Sequence, residues 1–162
     1  MIFTIGYSNR TLPEFLHELR RREITALIDV RSSTWSRNAP FNAPQIERWS
    51  DRAGIYYRRC GDILGGMSDI ALDDPRYTDA LDRLIDVARR EPVVLMCAEG
   101  SPEHCHRTWD IAASLLVRYG VVARSILRHG GEEDCTDTLA RVPASRIKPE
   151  IRAALSPQGD LL

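Results

Sequence analysis

The densest run of reactive side chains is Cys97-Ala98-Glu99-Gly100-Ser101-Pro102-Glu103-His104-Cys105-His106-Arg107. It lies between an apolar run, Val93 to Met96, and a helical pattern carrying Ala112, Leu115, Leu116 and Tyr119. A strand feeding a helix N-terminus offers free N–H donors and the positive end of a dipole, which attract anions and lower a thiol pKa. Cys97 is therefore expected as nucleophile or redox thiol and Cys105 as its resolving partner. His106 or Glu99 would be the acid–base group. Arg107, in the first helical turn, opposes the dipole and calls for an anion: Glu99, Glu103 or a bound ligand. Arg31 follows a second apolar run, Ala26 to Val30, and shares a strand side with Asp29 by the two-residue period. Its planar fork suits a phosphate or carboxylate ligand, and equally a structural pair with Asp29 or Glu99.

Other candidates are weaker. Tyr7, Ser8 and Asn9 end the first apolar run, and Arg37 sits in a long loop from Ser32 to Pro44; all four are assigned to anion binding. Gly65 and Gly66 mark a second loop, and Phe41 is expected to anchor the first. Cys97, Cys105 and His106, with Cys60 as a fourth, offer thiolate and imidazole ligands. The C-x7-C-H spacing matches no finger or knuckle pattern and no C-x-x-C pair exists, so neither a metal nor a cofactor is expected. Cys135, among Glu132, Glu133, Asp134 and Asp137, reads as an incidental thiol in an acidic loop, with its pKa raised by those charges.

These residues need elements to hold them. The apolar runs at Ile2–Tyr7, Ala26–Val30, Ile55–Arg59, Val93–Cys97 and Val121–Leu127 read as strands. Between them lie helical patterns: one opened by a capping box at Thr11-Leu12-Pro13-Glu14, one capped by Asn42 and stopped by Gly54, one started by Asp74-Pro75, and one closed by Gly120. Pro149 to Leu155 suggests a last helix. Strands alternating with helices predict a single α/β domain over 1–162: a mostly parallel five-stranded sheet with helices on both faces, Rossmann-like. In such a sheet the strands end on one edge, where ligands bind. Ser8, Arg31, Cys97 and Arg107 are expected around one pocket there.

The 162 residues are 43% hydrophobic and 28% charged, ordinary for one globular domain. No apolar run reaches the ~20 residues of a membrane span, and no basic-then-apolar leader opens the chain. Four scattered cysteines suit reduced thiols, so a cytoplasmic location is expected. Net charge is −1, which argues against a global field for nucleic acid, although residues 1–60 carry 10 basic and 6 acidic side chains. Of the 22 basic residues only Lys148 is lysine, which leaves Schiff-base chemistry one poorly placed candidate and excludes a Walker-type loop.

Thr4-Ile5-Gly6-Tyr7-Ser8-Asn9-Arg10, Leu27-Ile28-Asp29-Val30-Arg31, Ser36-Arg37-Asn38 with Phe41-Asn42, Leu64-Gly65-Gly66, and Leu95-Met96-Cys97-Ala98-Glu99 with Cys105-His106-Arg107 together resemble the domain of unknown function 488 family. The likeness runs from about Thr4 to Leu127 and leaves 128–162 as a C-terminal extension. It implies a bacterial or archaeal α/β domain and no particular reaction. A fainter likeness links the Asp-Val-Arg strand and strand-Cys-loop-helix to rhodanese and cysteine-phosphatase domains. Their arginine follows the cysteine by about five or six residues, whereas Arg107 follows Cys97 by ten, so the anion loop differs. The expected function is an enzyme acting on an anionic substrate, a nucleotide or nucleic-acid fragment. The alternatives are a non-catalytic anion- or nucleic-acid-binding module and a metal- or redox-sensing protein.

Overall fold

The structure, a computed structural model, describes residues 1–156; the last part of the expected extension, 157–162, lies outside them. Strands β1 (Ile2–Gly6), β2 (Ala26–Asp29), β3 (Tyr56–Arg59), β4 (Val93–Cys97) and β5 (Arg124–Ile126) are parallel, and β6 (Glu132–Asp134) runs antiparallel to β5. The order is β3-β2-β4-β1-β5-β6. Gly6 pairs with Cys97 and Asp29 with Met96, so the central strands end level with one another.

The sixth strand corrects the five expected. Its acidic sequence carries no apolar alternation, and ion pairs hold it to the sheet. Arg124 reaches Glu132 at 3.0 Å and Asp134 at 2.9 Å, and Arg22 reaches Glu132 at 2.7 Å. Charges on an edge strand also discourage pairing with other chains. Cys135 is corrected with it: the residue is buried in the core rather than lying in a loop, and burial more than its acidic neighbours raises its pKa.

Helices cover both faces. α1 (Leu12–Arg21) starts at the expected Thr11–Glu14 capping box. α2 (Ala43–Arg52) follows Asn42, but that side chain does not cap it. Asn42 instead accepts from Ser36 N–H at 2.7 Å and donates to Ala39 O at 3.3 Å, which ties the long loop to itself. A short helix that the sequence reading did not contain, α3 (Gly61–Leu64), precedes Gly65. α4 (Pro75–Ala88) is capped by Asp74. A π-helical turn, Arg107–Ala112, runs into α5 (Ala113–Tyr119), which ends at Gly120 in the left-handed region. α6 (Cys135–Leu139) and α7 (Pro149–Leu155) follow β6.

Strand alternation divides the core in two. Phe3, Ile5, Leu27, Val94 and Met96 pack with α1 and α2. Ile2, Ile28, Val93, Leu95 and Cys97 pack with α4, α5, α6 and α7. This parity decides which face of the sheet each strand-end residue serves.

Candidate active site at the carboxyl edge of the sheet

Cys97 is the last residue of β4 and points to the α5 face, where Cys105 also lies. The loop between them includes a 3-10 turn, Pro102–His104, that returns the chain to the strand end. The two sulfurs and a ring nitrogen of His106 lie within 4.8 Å of one another, and Cys105 Sγ is 3.7 Å from His106 Nδ1. His106 Nε2 is 3.1 Å from Val30 O. A carbonyl only accepts, so Nε2 carries a proton, and in the neutral ring Nδ1 then turns its lone pair toward Cys105. Both cysteines are free and buried, and His106 is half-buried. Contact with Cys97 and the nearby Arg107 guanidinium pull the Cys105 thiol down; contact with Cys105 and burial push Cys97 up. The more acidic thiol of the pair is thus Cys105, the reverse of the sequence expectation. The contact between the two sulfurs sets them apart, and the Arg107 guanidinium adds to the lowering at Cys105. Cys60 belongs to neither the pair nor its His106 partner.

The cluster forms part of the wall of an open depression of about 530 Å³, which Ser8, Gly66, Met67, Glu99, Trp109 and Arg146 also line. Two of the arginines expected there are elsewhere. Arg31 obeys the parity of Leu27 and faces the α1–α2 side. Its Nε donates to Asp29 Oδ1 at 2.8 Å and its Nη2 to Oδ2 at 2.6 Å, while Nη1 donates to Tyr7 Oη at 3.2 Å and Phe41 O at 2.8 Å. Against the burial that lowers it, those bonds hold the Arg31 pKa above its ordinary value. Arg107 is 1% exposed and donates to the carbonyls of Glu99 and Gly100 and to Thr4 Oγ1. No carboxylate pairs with it among the described residues; its donors instead tie down the Cys97–Cys105 loop through two neutral carbonyl oxygens. Arg37 is exposed on its loop, away from the depression. Tyr7 is buried, stacked on Phe41 at 4.3 Å, and donates to Ser36 Oγ at 3.0 Å. Asn9 takes φ 61° in a turn that opens onto a separate hollow beside Arg10 and Glu14. Glu99 stands exposed at the rim, where its carboxylate accepts from Ser101 N–H at 2.9 Å.

The family described as Domain of unknown function DUF488 matches residues 11–73 and 69–111. The chain belongs to the DUF488 family. Among curated proteins, none matches it.

Three features of this DUF488 site escaped the sequence reading. A Cβ on Gly6 would stand 1.8 Å from Glu99 O, so the loop that follows Cys97 lies directly against the end of β1. A Cβ on Gly66 would stand 2.8 Å from Cγ of His106, so this glycine lets the ring seat against the loop. Trp109 and Arg146 were overlooked too; the guanidinium carbon lies 5.1 Å from the indole centroid. Trp109 is one helical turn after Cys105, which is a readable signal. Arg146 comes from the C-terminal extension, and no local pattern announces it.

Proposed function

We propose that this DUF488 chain is an enzyme acting on a small anionic substrate seated in the depression, with Cys97, Cys105 and His106 facing its reactive part. One observation carries the reading: the cluster and Arg146 line the same open depression. Its volume lies in the range of small-molecule sites, and a nucleotide or a short nucleic-acid fragment suits both the space and the cation. The anchoring part expected of Arg31 and Arg107 falls to Arg146, which has no carboxylate partner among the described residues. Its cation–π contact with Trp109 leaves the guanidinium edges free to donate.

Titration of isotope-labelled protein with nucleoside monophosphates and inorganic phosphate, followed by NMR, tests this. Resonances of Ser8, Gly66 and Trp109 should shift together. Arg146→Ala should weaken binding by about tenfold or more, as loss of a charged hydrogen bond requires, with an unchanged melting temperature. Binding that maps instead to exposed arginines of residues 1–60, and that weakens steeply with salt, would establish the non-catalytic nucleic-acid module.

A further inference from the structure

We propose that Cys97, Cys105 and His106 bind a thiophilic divalent cation of the zinc class through two sulfurs and one nitrogen, leaving a fourth position open to the depression. The proposal deepens the reading of this edge as a reactive site, and it stands on geometry. Two ligands on a tetrahedral zinc with Zn–S near 2.3 Å and Zn–N near 2.1 Å are about 3.6 Å apart. The Cys105 Sγ to His106 Nδ1 separation is 3.7 Å, and all three donor atoms fall within 4.8 Å.

Two independent features prepare His106 as a ligand. Its Nε2–H is fixed on the carbonyl of Val30, which in the neutral ring puts the lone pair on Nδ1, 3.7 Å from Cys105 Sγ. Ligating histidines usually make such a bond, because it fixes tautomer and ring orientation. The ring also rests against Gly66, where a Cβ would intrude to 2.8 Å. Charge fits as well. Two thiolates would repel each other in this buried place, and a divalent cation together with the nearby Arg107 guanidinium would offset their charge. Cys97 arrives from β4 and the Cys105-His106 pair from the helix start, so a cation would bind strand end to helix start. With three protein ligands and one open position, the donor set is of the catalytic rather than the closed structural kind. An anion held by Arg146 would lie within the same depression as that open position.

Cobalt(II) titration of the full chain, freed of metal under reducing conditions, tests the site. One equivalent should produce a thiolate-to-cobalt charge-transfer band and the intense visible bands of a tetrahedral centre. Zinc should displace it. Cys105→Ser and His106→Gln should abolish the band, whereas Cys60→Ser and Cys135→Ser should keep it. Gly66→Ala, acting through the ring of His106, should weaken cobalt binding by roughly 10–100-fold. Wild-type protein that keeps a normal circular dichroism spectrum yet gives no stoichiometric band overturns the proposal, and this readout needs no variant to fold. Rapid closure of a Cys97–Cys105 disulfide with no metal uptake also overturns it. The two readings fail separately: cobalt binding without any anion response at Ser8 or Trp109 removes the anionic substrate and leaves the metal. Anion binding by protein that takes up no cobalt does the opposite.

Discussion

Arg31 shows how one side chain is settled by its neighbours. The Asp29–Arg31 pair is buried on both sides, with fractional exposures of 0% and 3%. Asp29 also accepts from the Tyr57 hydroxyl at 2.8 Å and from Arg31 N–H at 3.1 Å. Removing the guanidinium leaves that carboxylate without its counter-charge. Arg31→Ala is expected to cost about 3–5 kcal/mol, the usual penalty for breaking a buried pair, with a melting temperature lower by roughly 10 °C. Arg31→Lys keeps the charge and loses the fork that spans both carboxylate oxygens, so it should lie between wild type and alanine. Neither change should alter anion binding at the Cys97 depression beyond what unfolding explains. Thermal melts beside the anion titration check both statements; unchanged stability with lost affinity would return Arg31 to the binding site.

At the scale of elements, the site depends on how tightly the loop after β4 lies on the end of β1. Tyr7 N–H donates to Cys97 O at 3.1 Å and Ser8 N–H to Ala98 O at 3.0 Å, which extends the sheet ladder beyond both strands. Gly6 sits under the same loop. Gly6→Ala would drive a methyl group into Glu99 O and Gly100 Cα, backbone atoms that move only if the loop moves. A loss of about 3 kcal/mol is expected, the upper end for overpacking, together with loss of cobalt binding as Cys97 and Cys105 separate. Gly100→Ala is the contrast. Its nearest new contact is Ser8 at an ordinary 3.5 Å, so stability should change by less than about 1 kcal/mol. Denaturant melts of the pair check the difference, and equal stabilities would show that the loop yields freely.

For the molecule as a whole, the C-terminal extension is part of the fold. Cys135, Leu139, Val142 and Ile151 are buried against the same core as α4 and α5. Burial of four such side chains contributes roughly 6–12 kcal/mol, comparable to the entire stability of a typical domain. A chain ending at Arg128 is therefore expected to show no cooperative thermal transition, although the family match ends at residue 111. A sharp melt from that shortened chain would show the extension to be dispensable. The extension also illustrates what a sequence read alone conveys. The strands β1 to β5, the Thr11 and Asp74 caps and the parallel α/β architecture were legible, because buried strands, caps and helical stripes leave local patterns of fixed period. The Cys97–Cys105–His106 grouping was legible as a cluster of reactive types, since it lies within ten residues at a strand-to-helix turn. Strand β6 was not, because ion pairs with Arg22 and Arg124 hold it and no apolar alternation marks it. The separation of Arg31 from Cys97 was not legible either. Each strand's own alternation is local, but which faces of different strands coincide depends on register. Here register pairs Asp29 with Met96, which leaves Cys97 on the opposite face. The sequence by itself determined the strands β1 to β5, the main helices between them, the edge and the reactive residue types. Only the tertiary structure decided which arginines were consumed in holding the fold and that Arg146 faces the site, because pairing across the sheet and the return of the C-terminus are long-range contacts.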